Sequence, residues 1–183
     1  MAEVKVLIEG YTTADSAGEE KTCATITLIK DGDNKIIVDP GVLENQKMLV
    51  DKLKEEGLSV SDINIVFITH SHLDHYRNIG MFSEAKTLEY YGLWDKNTVR
   101  DWQEQFSEDI KIIKTPGHSY DGLTLLVKTT DGIVAICGDV FWKKNFPEND
   151  PYATDGEKLK SSRKLVLESA DWIIPGHAGR YKV

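Results

Sequence analysis

Residues 63–75, INIVFITHSHLDH, run from an apolar stretch directly into three histidines and an aspartate. A short apolar run of this kind predicts a buried strand. The end of such a strand is where a rigid scaffold presents functional groups. His70 and His72 stand two positions apart, so in an extended chain they project to the same side. Asp74 and His75 then add a carboxylate and a third imidazole once the chain turns. Protonated together at close range, these imidazoles would repel one another. A shared cation removes the conflict, and imidazole nitrogen with carboxylate oxygen suits zinc, iron or manganese. The fold therefore has to bring this strand end to a place that can hold a metal.

The chain has two further histidines, for five in all. His118 and His177 each lie in a Pro-Gly-His turn at the end of a strand-like run, TPGHS and IPGHA, and Asp139 ends the run AICGD. One histidine in such a turn would read as structural. Two in the same context, beside the cluster at 70–75, do not. Five imidazoles with Asp74 and Asp139 suffice for two metal ions with open positions, which a catalytic site needs and a closed structural site lacks.

The rest of the pattern supplies strands and helices around these turns. VKVLIEG (4–10) alternates as a half-buried strand, and TCATITLIK (22–30) and KIIVD (35–39) flank the hairpin turn DGDN. Residues 43–56 predict a helix ending at Gly57, with Leu49 and Leu53 on one face. Residues 109–120 form a strand that ends in the His118 turn, and 123–140 a hairpin turning at Asp131-Gly132. A capping-box pattern at Thr154 and Glu157 starts a helix running to about Ser169. A last strand, 171–179, empties into the loop of His177. Two strand-and-helix halves predict two packed sheets with helices outside, and 183 residues suit a single domain spanning 1–183.

Composition excludes little but orders the alternatives. The formal net charge of -8 weighs against a nucleic-acid binder with a broad basic face. Lys143-Lys144 and the group Lys158, Lys160, Arg163 and Lys164 are the local basic candidates. Cys23 and Cys137 lie in apolar runs and read as buried reduced thiols, too few for a disulfide framework. The start MAEVKVLIEG lacks the features of a signal peptide, and no run approaches the ~18 apolar residues of a membrane span. A cytoplasmic protein without membrane partners is expected, with a homodimer as one oligomeric option.

The set H-x-H-x-D-H at 70–75, His118, Asp139 and His177 resembles the metallo-β-lactamase-fold hydrolase superfamily. IIVDPG (36–41) matches that family's early strand-then-Asp-Gly segment, whose aspartate supports the metal loop. The resemblance implies an α/β fold, a four-layer αββα sandwich with the site at one edge between the sheets. It assigns His70, His72 and His118 to a first metal and Asp74, His75 and His177 to a second, with Asp139 bridging. Two divalent ions are implied, zinc first, with manganese or iron as alternatives. A hydroxide held between them would be the nucleophile, with Asp74 and Asp139 as the catalytic carboxylates. Within the superfamily, GDVF (138–141) and SSRKLVLESADWIIPGHA (161–178) are similar to the compact metallo-β-lactamase-domain-containing protein 1 group.

The resemblance leaves the substrate open. The first reading is a small-molecule ester, lactone, thioester or phosphoester, with promiscuous β-lactamase activity as a side reaction. The first alternative is a nuclease cleaving RNA or single-stranded DNA. The second is an iron-dependent, persulfide dioxygenase-like oxidoreductase. Ser119, Tyr120, Phe141, Trp142 and Trp94 are candidate substrate contacts. The aromatic stretch 88–106, with Trp94 and Trp102, reads either as a roof over the pocket or as a surface helix packed on the sandwich. The loop 11–21 lies where the family usually has a mobile flap.

Overall fold

The protein's structure, a computed structural model, describes residues 1–13 and 19–183. The first half supplies β1 (Glu3–Ile8), the short ribbon β2 (Tyr11–Thr12) with β3 (Thr22–Cys23), and the hairpin β4 (Ile26–Asp31) and β5 (Asn34–Val38). Helix α1 (Lys47–Glu55), β6 (Ile65–Phe67), the single turn α2 (Leu73–Tyr76), β7 (Lys86–Glu89), β8 (Gly92–Asp95) and β9 (Thr98–Arg100) follow. The second half has β10 (Ile110–Lys114), β11 (Leu123–Thr129), β12 (Gly132–Ile136), α3 (Gly156–Ser169), β13 (Trp172–Ile174) and β14 (Tyr181–Lys182). One seven-stranded sheet is ordered β1-β4-β5-β6-β7-β8-β9, and one five-stranded sheet β10-β11-β12-β13-β14.

Strand periodicity sorts the side chains between layers. In β5, Ile36 and Val38 point into the space between the sheets while Ile37 points out toward α1. The inter-sheet core joins Ile36, Val38, Ile65 and Phe67 to Ile110, Ile112, Leu125, Val127, Val134 and Ile136 of the other sheet. Leu49 and Leu53 of α1 are fully buried against Leu28, Ile37 and Val66. Val166 of α3 covers Ala135 and Ile173. Each such aliphatic side chain contributes ~1.5–3 kcal/mol through burial. The result is the expected helix–sheet–sheet–helix layering. Among the described residues no helix is long and apolar enough to cross a membrane.

Two local expectations are corrected. Residues 88–106 hold no helix: β7, β8 and β9 form an antiparallel meander that extends the first sheet. The β-branched and aromatic residues there satisfy a sheet edge, and Tyr90, Leu93, Trp102 and Phe106 pack against the inter-sheet core. The cap of α3 is Asp155, one position later than Thr154, and its carboxylate accepts from the Lys158 amide at 3.0 Å. The Thr154 hydroxyl instead donates to the Gly117 carbonyl. Positions 14–18 of the expected flap lie outside the described residues.

Candidate metal centre

Four loop segments meet at one end of the two sheets. The segment after β6 brings His70, His72, Asp74 and His75, and α2 turns the last two inward. The β10–β11 connection brings His118, the turn after β12 brings Asp139, and the loop after β13 brings His177. Main-chain hydrogen bonds tie these loops together: Leu123 N to Thr69 O, 2.8 Å, Thr25 N to Gly176 O, 2.6 Å, and His177 N to Trp142 O, 2.8 Å. At Gly138 (φ +49°) a Cβ would collide with the Thr69 side chain, so glycine is required where the Asp139 turn crosses the histidine segment.

The inner nitrogens face one another. Nδ1 of His72 lies 3.0 Å from Nε2 of His70 and 3.0 Å from Nε2 of His118. One proton can serve only one of these pairs. The Asp139 carboxylate lies between both groups, 3.3 Å from Nε2 of His118, 3.2 Å from Nε2 of His177 and 3.4 Å from Nε2 of His75. Donor atoms of His70, His72, His118 and Asp139 fall within 4.8 Å of one another, as do those of Asp74, His75 and His177.

The outer nitrogens explain why the inner ones converge. His75 Nδ1 lies 2.8 Å from Asp39 Oδ2, His118 Nδ1 2.6 Å from Asp150 Oδ2, and His177 Nδ1 3.0 Å from the Cys23 carbonyl. Each of these partners accepts a hydrogen bond, so the proton sits on Nδ1 and the Nε2 lone pair turns inward. Thr69 donates to Asp39 Oδ2 at 2.7 Å, which leaves its oxygen to accept from His70 Nδ1, 3.1 Å away. Asp39 itself has φ +49°, a left-handed conformation that aspartate tolerates better than most residues. On the open side, Thr22 donates to Asp74 Oδ2 at 2.7 Å.

Charge follows from this packing. Burial holds the His70 and His72 imidazoles below their ordinary pKa, and the neighbouring imidazoles add to the effect. Burial also opposes charge on His75 and His177, but Asp139 outweighs it at both, with Asp39 helping at His75, and raises both. Burial opposes charge on Asp139 too, yet His177 and His75 hold its carboxyl well below the usual range. Burial pushes both cysteine thiols up, and neither cysteine belongs to the two donor groups.

The donor set fits metal ions. His75 Nε2 and Asp139 Oδ1 are buried with no properly oriented hydrogen-bond partner, although they lie side by side. Buried polar atoms are rarely left so. A cation held at the cluster would satisfy both.

Comparison with known proteins decides the family. A profile of the metallo-β-lactamase superfamily matches residues 24–98. Metallo-beta-lactamase domain-containing protein 1 of Xenopus laevis is 31% identical over 190 aligned positions, covering 98% of this chain and 81% of the relative. The chain belongs to the metallo-β-lactamase superfamily. A Methanocaldococcus jannaschii relative named as a probable metallo-hydrolase is 30% identical, over 96% of this chain and 87% of its own length. A crystal structure of a metallo-β-lactamase-type protein from Thermotoga maritima superposes with a TM-score of 0.77 at 25% identity, covering 100% of this chain and 99% of that one. Together with the donor cluster, these likenesses make the chain a metallo-hydrolase of that superfamily.

The remaining expected contacts divide. A cavity of about 320 Å³ at the cluster is lined by Thr12, Glu20, Thr22, Trp142 and Tyr152 together with His72, Asp74, His118, Asp139 and His177. Of the five candidate substrate contacts only Trp142 lines it. Phe141 is buried under α3, in contact with the Arg163 guanidinium. The Ser119 hydroxyl is engaged by Asp121, and Tyr120 points outward to the Tyr91 hydroxyl. Trp94 lies on the β8 surface and donates to Glu89. Trp102 does not roof the pocket; it donates to the Tyr90 carbonyl. Glu20, Asp150 and Tyr152 lie in the loops 11–21 and 141–152, which the sequence marks as candidate pocket walls, but neither they nor Thr22 stand out in it, because no spacing rule marks residues that reach the site from separate loops.

Proposed function

We propose that the protein hydrolyses a small-molecule ester, lactone, thioester or phosphoester with two divalent ions, zinc foremost, held by the seven clustered donors. The observation that carries this reading is the convergence of two donor groups on one confined cavity of small-molecule size, about 320 Å³. His70, His72, His118 and Asp139 would hold one ion, and Asp74, His75 and His177 the other, with Asp139 serving both. Ions bound there supply Lewis acidity toward a carbonyl or phosphoryl oxygen and acidify water.

The chain's own residues do the rest. Asp39, Asp150 and the Cys23 carbonyl keep three imidazoles in one tautomer, so their inner nitrogens need no reorganisation during the reaction. Asp74 is the partly exposed carboxylate of the set, steadied by Thr22. It is therefore placed to take a proton from the nucleophile and return it to the leaving group. Trp142, buried and stacked on Tyr152, keeps water from one wall.

The nuclease alternative finds little support in the basic residues that would carry it. Lys158, Lys160 and Lys164 pair with Asp155, Glu157 and Glu168 on their own helix. Arg163 donates to the Val140 and Glu148 carbonyls. Lys143 and Lys144 sit over the Phe146 and Tyr181 rings.

The test is hydrolysis of nitrophenyl acetate, a γ-lactone, a thioester and bis-nitrophenyl phosphate by zinc-loaded protein, beside end-labelled single-stranded RNA. Turnover of at least one small substrate, lost on metal removal and reduced at least ~100-fold by Asp139→Asn, is expected. RNA cleavage with the same dependence, and inert small substrates, would reverse the order.

A further inference from the structure

Half of the cavity's lining lies outside the donor cluster. Those residues are Thr12, Glu20, Thr22, Trp142 and Tyr152, and Glu20 is the carboxylate among them. Among the described residues no lysine or arginine lines this cavity, and positions 14–18 read ADSAG, which contains none. The Glu20 side chain is held in place: Oε1 accepts from the Tyr152 hydroxyl at 2.5 Å. Tyr152 stacks on Trp142 with ring centroids 5.8 Å apart and planes 23° apart, and Trp142 stands edge-on to His118 at 6.3 Å and His177 at 6.5 Å. A chain of contacts therefore connects Glu20, on the loop before β3, to the donor cluster through the loop that precedes α3. An adjoining groove of about 500 Å³ shares Glu20, Thr22 and Asp74, and there Lys21 is accompanied by Glu44.

We propose that Glu20 is a specificity-determining residue that, with the Trp142–Tyr152 stack, selects substrates whose non-reacting part is cationic and disfavours anionic ones. The proposal rests on the metallo-hydrolase reading and names its substrate class. A substrate's reacting oxygen is drawn to the donor cluster, and what remains of it meets a carboxylate and two aromatic rings. That is the chemistry that binds an ammonium group: ion pairing with Glu20, beside the half-exposed Tyr152 ring that Trp142 backs. A second anionic group inside this cavity would meet the Glu20 carboxylate, with no lysine or arginine among the described lining residues to offset it. The same feature works against a polyphosphate backbone.

The experiment is calorimetric titration of zinc-loaded protein at low salt with two hydroxamates of matched size, one carrying a trimethylammonium group and the other a carboxylate. Binding reports on the pocket whether or not either compound is turned over. The wild type is expected to bind the cationic compound about fivefold or more tightly than the anionic one, the scale of a single partly screened charge pair. Glu20→Gln should bring the ratio close to one. Salt at about 0.5 M should narrow the wild-type ratio and leave that of the variant unchanged. A ratio equal in wild type and Glu20→Gln, or a wild-type preference for the carboxylate, overturns the proposal while the metallo-hydrolase reading stands. Failure to bind either compound, or binding that survives metal removal, overturns both.

Discussion

Among the described residues, Asp39 is a carboxylate that faces away from the cavity and joins several parts of the centre. It is 2% exposed and accepts from the Thr69 amide at 2.8 Å, the Thr69 hydroxyl at 2.7 Å and His75 Nδ1. Removing it leaves buried donors unsatisfied, each costing about 1–3 kcal/mol. Asp39→Ala is therefore expected to lose about 3 kcal/mol of stability in urea unfolding, and to bind zinc ~10–100-fold more weakly in competition with a chromophoric chelator. An unchanged zinc affinity would mean that Asp39 does not orient His75. This residue was legible in the sequence, through IIVDPG. Asp150, Glu20 and Tyr152 were not, because an exposed-looking acid or tyrosine in a loop carries no periodicity, and only the folded loops show what it touches.

At the scale of elements, helices and strands with strong periodicity were legible: α1 with Leu49 and Leu53, the hairpin at DGDN, and the strands ending at His70, His118 and His177. The 88–106 stretch was not, since its aromatic residues serve a short-stranded sheet edge as well as they serve a helix, and tertiary packing decides between the two. A further element-scale feature is the anchoring of α1. Glu56, just past the helix, pairs with Lys5 of β1 and with Lys30 of β4, the latter at 3.4 Å. The Lys5 hydrogen bond, against a smaller opposing effect of burial and with help from Lys30, lowers the Glu56 pKa. A carboxyl whose folded pKa is depressed stabilises the fold above its unfolded value, near pH ~4.3. That contribution fades as pH falls through the folded value. Glu56→Gln should accordingly melt below the wild type at pH 7, with the gap narrowing once the solution is taken to acid pH. A gap that persists unchanged at that pH would show that the pair's charge plays no part.

For the whole molecule, the two sheets act as a frame whose loops at one end bring seven donors from four separated segments into contact. Such a frame carries a specific cost when empty of cations: Asp139 raises the proton affinity of His75 and His177, against which a metal must compete, and His75 Nε2 and Asp139 Oδ1 stay without an oriented partner. Ions that bind the folded chain in preference to the unfolded one should stabilise it. The most direct measurement is elemental analysis of chelator-stripped protein reloaded with zinc and passed through a desalting column, paired with its melting temperature. About two equivalents of zinc per chain and a higher melting temperature than the stripped protein are expected, with Asp139→Asn retaining less metal. No retained metal, and a melting temperature indifferent to zinc, would contradict the account.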